Sequence, residues 1–205
     1  MHNNSITLAL TGASGIQYGL RLLECLLQAD QQVNLLISKP AKVVIATETD
    51  LTLPSSPADI SHFFSQRYDA QASQLQVFSD SQWSAPIASG SNAPKAMVVC
   101  PCTSATLSAI AMGASRSLLE RAADVVIKER RPLILVHREM PISAIHLEHM
   151  LKLAQYGATI MPASPGFYHQ PQTIADIIDF VVARILDHLN IEHSLVERWG
   201  ETSPK

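Results

Sequence analysis

Two carboxylates have types and positions that could serve a site. Glu48 lies within Ala46-Thr47-Glu48-Thr49-Asp50, and Glu139 follows Arg138 directly in His137-Arg138-Glu139-Met140-Pro141. A positioned carboxyl group can accept or release a proton during bond making, although a glutamate at a helix end is ordinarily just solvated. An arginine beside a glutamate at the carboxyl end of a strand also stands where open α/β sheets bind their ligands. Cations form a second set. Arg121 and Lys128 are seven residues apart, about two turns along one side of a helix, with Arg116, Arg130 and Arg131 nearby. They can grip a phosphate or remain in water. Hydroxyls form a third set: Thr103, Ser104 and Thr106, around Ala105, follow Cys100-Pro101-Cys102 and can cap a helix or hold a ligand's polar edge. The Cys-x-Cys pair has no partner pair at zinc spacing, and His146 and His149, three apart, lack a third ligand. No metal centre is expected.

These groups need a scaffold, and the chain supplies one that begins at Ser5. The apolar run Ile6-Thr7-Leu8-Ala9-Leu10 passes into Thr11-Gly12-Ala13-Ser14-Gly15, and Leu20, Leu23, Leu26 and Leu27 then recur at helical spacing. A buried strand that turns into a helix aims free N–H groups and the positive end of a dipole at one point, where an anion, a phosphate, is expected. The glycines do not complete the G-x-G-x-x-G fingerprint, since no third one follows in step. Val33 to Ser38 is a second strand, and Lys39-Pro40 opens a helix that brings Glu48 near its end.

Residues 51 to 74 read as a loosely packed connection with Phe63 and Phe64 anchoring a short helix. Strands follow at Leu75–Phe78, Met97–Pro101, Leu133–Val136 and Ala158–Met161, and helices at Leu118–Glu129 and 143–156. The long loop from Ser79 to Lys95 carries Trp83 and Ala88-Ser89-Gly90-Ser91; Ser89 there is either a phosphate donor or turn chemistry. A stiff loop after the last strand holds the Tyr168 hydroxyl. Ile174 to Leu189 is amphipathic, with Ile177, Ile178, Val181, Val182, Ile185 and Leu186 as its buried set and Arg184 pointing elsewhere. Leu195 and Trp199, in the tail of about 190–205, are expected to cover a neighbouring subunit or the mouth of a site. The expected fold class is α/β: a Rossmann-like, three-layer, mainly parallel open sheet with helices on both faces.

Composition narrows the partners. With 205 residues, 47% of them hydrophobic, the chain suits a single domain over 1–205. A net charge of −3 without a long basic run argues against nucleic acid or a membrane surface. The start lacks a charged segment followed by an apolar one, and no apolar run reaches membrane length, so a soluble, cytoplasmic protein is expected. Three cysteines make no disulfide framework and fit a reducing compartment.

Taken in order, Thr11-Gly12-Ala13-Ser14-Gly15, Ala46-Thr47-Glu48-Thr49-Asp50, Ala88-Ser89-Gly90-Ser91, Cys100-Pro101-Cys102, Glu120-Arg121-Ala122-Ala123-Asp124, Lys128-Glu129-Arg130-Arg131-Pro132, Arg138-Glu139 and Pro165-Gly166-Phe167-Tyr168 resemble the UbiX-type flavin prenyltransferases. The resemblance spans residues 5 to about 200. Two places depart from it: Thr103-Ser104-Ala105-Thr106 replaces a Ser-Thr-Gly-Thr run, and His137 stands where a proline usually precedes the Arg-Glu pair. The second is expected to lie outside the side chains that matter.

The resemblance implies a homo-oligomeric flavoprotein, commonly a dodecamer built from trimers, with FMN bound between subunits. It implies transfer of a dimethylallyl group from dimethylallyl phosphate to reduced FMN, which gains a fourth ring, without metal. The prenylated FMN then passes to a UbiD-type decarboxylase. Carried onto this chain, Gly12, Ala13, Ser14 and Ser38 would hold the FMN phosphate and ribityl chain, Thr103, Ser104, Ala105 and Thr106 would line the flavin's other side, and Arg138 would lie by the isoalloxazine. Ser89, Arg121, Lys128, Tyr168 and Arg184, some from a neighbouring subunit, would bind the substrate phosphate together with Glu139. Glu48 would carry a proton near the reacting nitrogen, Glu139 would protonate the leaving phosphate, and Ser14 would relay or position a proton. The rival readings are an FMN-dependent cysteine decarboxylase of the same fold, whose Pro-x-Met-Asn-type clamp is not found here, and a non-catalytic flavin-binding partner of a decarboxylase.

Overall fold

Four of the six strands in the computed structural model, which describes residues 4–197, are dominated by apolar residues and are buried along most or all of their length. Such continuous apolar runs suit strands covered on both faces, as a parallel sheet with crossover helices requires. The strands are β1 (Ile6–Leu10), β2 (Val33–Ile37), β3 (Leu75–Phe78), β4 (Ala96–Cys102), β5 (Leu133–His137) and β6 (Thr159–Pro162). They form one sheet in the order β3-β2-β1-β4-β5-β6, and every pairing is parallel. Leu8 sits opposite Leu35 on one side and Val98 on the other.

Seven helices connect them: α1 (Ile16–Gln28), α2 (Lys39–Glu48), α3 (Pro57–Arg67), α4 (Ser104–Ala111), α5 (Leu118–Lys128), α6 (Ala144–Gln155) and α7 (Ile174–His188). Alternate strand residues feed two cores. Ile6, Leu8, Leu10, Val98 and Val136 pack with α1, α3 and α7, whereas Ala9, Leu36, Met97, Val99 and Leu135 pack with α4, α5 and α6. The three layers are therefore α1/α3/α7, the sheet, and α4/α5/α6. Among the described residues no helix is long and apolar enough to cross a membrane.

Three expectations change. Residues 51–74 are not a loose connection, because α3 seats Ile60 and Phe64, 2% and 0% exposed, in the first core. On α7, Ile177 and Ile178 are only half-buried; the deeply buried set is Val181, Val182, Ala183, Ile185 and Leu186. In the tail, Ile191 is buried and Leu195 packs partly buried on the core of its own chain, while Trp199 lies outside the described residues. Gly19 supplies what the glycine pattern lacked. A Cβ there would collide with the Cys100 carbonyl oxygen and the Leu10 side chain, so α1 approaches β4 as closely as a helix without a side chain allows.

Candidate functional site

The sheet order reverses between β1 and β4, which lie side by side although 85 residues separate their ends and beginnings. At such a switch point the loops leaving the carboxyl ends diverge and open a crevice. Thr11 ties the two loops together: its buried hydroxyl donates to the Pro101 carbonyl at 2.6 Å and accepts from the Thr103 amide at 2.9 Å. Gly12 faces Pro40, where any Cβ would clash, so the first loop lies against the start of α2. Ser38 caps that helix by accepting from the Ala41 amide at 3.2 Å, and its own amide donates to Leu10. Ala13 is buried and Ser14 exposed.

Glu48, the last residue of α2, reaches across to the start of α1. Its carboxylate accepts from the Gly15 amide at 2.9 Å, and further from the Ile16 amide and the Ser14 hydroxyl. Helix α1 has no side-chain cap and no acid in its first turn, so this carboxylate is the anion that meets the dipole. Gly15, at φ 92°, bends the chain into that position. Burial pushes the Glu48 carboxyl up, but the Ser14, Gly15 and Ile16 donors and the positive charge of Arg138 outweigh it and hold the group below its ordinary range. At the junction where an anion was expected, the Gly15 and Ile16 amides are thus taken by a carboxylate of the chain itself.

Across the crevice, Thr103 caps α4 by accepting from the Thr106 amide at 3.1 Å while donating to the Thr106 hydroxyl at 2.9 Å. Ala105 is exposed. The Ser104 hydroxyl donates to Glu139 Oε2 at 2.9 Å and lies 3.1 Å from His137 Nε2. The Ser104 hydroxyl, then the Met140 amide, with lesser help from Arg138 and His146, hold the Glu139 carboxyl below its usual range against a small desolvation effect. His137, expected to stand clear of these side chains, is 2% exposed and touches the hydroxyl that is bonded to Glu139. Arg138 anchors its amide on Cys102 at 3.3 Å, and its Nε is buried with no partner among the described residues. A buried guanidinium nitrogen left without an acceptor is costly unless a ligand completes it.

The residues expected to bind substrate divide into two groups. Arg121 donates to the Ala88 carbonyl at 3.0 Å and to Asp124 at 2.7 Å, which sets it against two 3-10 turns, Pro86–Ala88 and Gly90–Asn92. Ser89, 3.0 Å from Ser91, belongs to the same turns. Lys128 pairs with Glu129 at 2.5 Å, and a side chain at Gly90 would collide with both. Tyr168 and Arg184 form the other group. They line a cavity of about 610 Å³ with Phe180, Asp187 and His193, where Arg184 meets Asp187 at 2.6 Å.

These groups cannot meet within one chain. Arg121 and Lys128 lie on α5, in the layer of the second core, and Arg184 lies on α7, in the layer of the first. Lys128 also ends α5 just before β5 begins, at the amino edge of the sheet, whereas the crevice opens at the carboxyl edge. Sequence reasoning nominated neither Thr11 nor Gly19 for the site, and named His137 only as a replacement expected to lie outside the side chains that matter. Their types are ordinary, and only contacts of long sequence separation give them a role. Among the described residues no group of His, Cys, Asp and Glu could hold a metal ion, and His146 instead caps α6 together with Ser143.

With this geometry in hand, comparison with known proteins is informative. The family described as Flavoprotein matches residues 1–186. A protein of Pseudomonas aeruginosa named flavin prenyltransferase UbiX is 60% identical over 196 residues, covering 96% of this chain and 94% of that one. A solved UbiX in complex with FMN and dimethylallyl pyrophosphate aligns with a TM-score of 0.86 at 36% identity, covering 98% of this chain and 100% of the other. A dodecameric, FMN-dependent UbiX-like decarboxylase from Escherichia coli O157:H7 aligns with a TM-score of 0.83 at 39% identity, over 95% and 98% of the two chains.

Proposed function

Because this chain belongs to the flavoprotein family, among its UbiX flavin prenyltransferases, we propose that it joins the dimethylallyl group of dimethylallyl phosphate to reduced FMN and releases phosphate. The observation that carries the reading is the crevice at the sheet's switch point, where Glu48 and Glu139 flank an Arg138 whose buried Nε has no acceptor among the described residues. The residues present fit an FMN. Gly12, Ala13, Ser14 and Ser38 offer main-chain and hydroxyl donors for its phosphate and ribityl chain. Thr103, Ser104, Ala105 and Thr106 make a second wall, and Arg138 completes its hydrogen bonding on the ring system. When bound and reduced, the isoalloxazine supplies the nucleophile.

The chain's own residues supply the rest. Glu48, ionised and fixed by the α1 amides, takes up a proton released at the acceptor, with Ser14 holding the carboxylate in place. Cleavage of an allylic carbon–oxygen bond leaves charge on the phosphate, which Ser89, Arg121, Lys128, Tyr168 and Arg184 neutralise; Glu139, ionised in the ligand-free chain, protonates it after taking up a proton as the approaching phosphate dianion raises its pKa. Because Lys128 and Arg184 belong to opposite layers, this cluster draws on two protomers. The reading therefore includes a homo-oligomer, dodecameric like the E. coli relative. Ile145, Leu147 and Leu151 on α6, each more than half exposed, give a second copy an apolar face to cover. The product serves a UbiD-type decarboxylase.

The test is anaerobic incubation with reduced FMN and dimethylallyl phosphate, with no divalent cation added. The expected product is a flavin heavier by one prenyl unit in mass spectrometry. An unchanged flavin mass overturns the reading.

A further inference from the structure

We propose that His137 is a positioning residue for Glu139, acting through the Ser104 hydroxyl; the inference rests on the prenyl-transfer reading above. Ser104 has one proton to give. It lies 2.9 Å from Glu139 Oε2 and 3.1 Å from His137 Nε2. An ionised carboxylate only accepts, so the serine proton goes to Glu139, and the remaining bond requires that His137 Nε2 carry a hydrogen and donate to Ser104 Oγ. The imidazole thereby fixes the hydroxyl rotor, and the rotor fixes one oxygen of the carboxylate. The other oxygen accepts from the Met140 amide at 3.2 Å, so both are spoken for before any phosphate arrives.

The ring itself has little freedom. It ends β5, is 2% exposed, and stands opposite Cys102 of β4 and Pro162 of β6 in the sheet register. The charged and titratable groups facing it are Glu139 and Arg138 on its own loop, His146 from α6 with ring centroids 5.9 Å apart, and Cys102, whose thiol burial pushes up to about 12. Desolvation first, then His146 and Arg138, lower the His137 pKa and outweigh the opposing pull of Glu139. The ring is therefore neutral at pH 7, and its single ring hydrogen sits on Nε2. The residue type has a consequence of its own, because an apolar side chain or a proline at this position leaves the Ser104 hydroxyl free to turn away from Glu139.

Two measurements test this. In nitrogen NMR of the ligand-free protein, the His137 ring is expected as the neutral Nε2–H tautomer at pH 7, and that preference is expected to be lost in Ser104→Ala. An Nδ1–H tautomer in the wild-type protein overturns the proposal. In the prenyl-transfer assay, His137→Leu is expected to lower kcat about tenfold, the scale of a misplaced catalytic group, with KM for dimethylallyl phosphate unchanged. His137→Gln, which keeps a donor near the Nε2 position, is expected to recover most of that loss. An unaltered kcat in His137→Leu, or a change confined to KM, overturns the proposal. A wild-type protein that transfers no prenyl unit sinks the functional reading instead, and the tautomer measurement still decides this inference.

Discussion

In the crevice, polar groups are bonded to elements far away along the chain: Thr11 to Pro101 and Thr103, Gly15 to Glu48, Ser104 to His137 and Glu139. On the helix surfaces the reverse holds. Arg121, Lys128 and Arg184 pair with Asp124, Glu129 and Asp187, each within three residues of its cation. A long-range bond among buried groups is made only by the folded sheet and holds a side chain where the fold demands it. A local, exposed ion pair is worth about 0–1 kcal/mol and gives way readily to a stronger anion. The crevice is thus assembled by one chain in advance, and the cations are held in reserve by neighbours that a phosphate can replace.

The contrast can be broken most severely at Glu48. Glu48→Gln keeps the hydrogen-bonded shape but removes the charge and the proton acceptor. Prenyl transfer is expected to slow by on the order of 10²-fold or more, the usual share of acid–base catalysis, with FMN still bound. A normal rate by flavin mass spectrometry removes Glu48 from the mechanism. The cations test the other side. Lys128→Ala and Arg184→Ala are each expected to raise KM for dimethylallyl phosphate roughly tenfold, for the loss of one charge-assisted bond. Neither is expected to move the thermal midpoint noticeably, because their present partners contribute so little. Co-expression of the two variants is expected to restore part of the activity if each phosphate site takes Lys128 from one protomer and Arg184 from another. Mixed oligomers as poor as either parent argue against a shared site.

Smaller effects sharpen the comparison. Thr11→Val leaves the Thr103 amide and the Pro101 carbonyl without their buried partner, and about 1–3 kcal/mol of stability should be lost in denaturant unfolding. If the denaturation midpoint does not change, the two loops are not held by this hydroxyl. The slightest effect concerns pH. The folded state lowers the His137 pKa, so below about pH 6.5 the unfolded chain binds more protons and stability falls as pH drops through that range. Glu48 and Glu139, held below their ordinary range, add stability above about pH 4.5 that is lost on further acidification. His137→Gln is expected to flatten the first of these slopes in a pH series of unfolding curves and to leave the second.

Much of this was legible in the chain as written. Apolar runs ending in small or hydroxyl residues located the strands and the starts of α1, α2 and α4, because a buried strand and a capped helix each demand particular residue types at short range. The loop motifs, read in order, identified the family and nominated Glu48, Glu139 and the cations. What could not be read was which nominees meet. The α1 N-terminus looked like a phosphate site, yet Glu48 from another helix occupies its Gly15 and Ile16 amides. The five phosphate-binding candidates were expected to come from more than one subunit, but which of them lie together in one chain could not be read: α5 and α7 pack on opposite faces of the sheet. His137 looked like a harmless replacement, yet it is bonded toward Glu139.

Periodicity and capping are local, with a reach of a few residues, and so a linear reading settles element type, order and chemical inventory. Adjacency across β1 and β4, or across the two faces of the sheet, depends on how strands separated by dozens of residues pair and on which face each crossover helix lands. Those choices follow from burying all the apolar faces at once, a condition on the whole chain that no single stretch of it expresses.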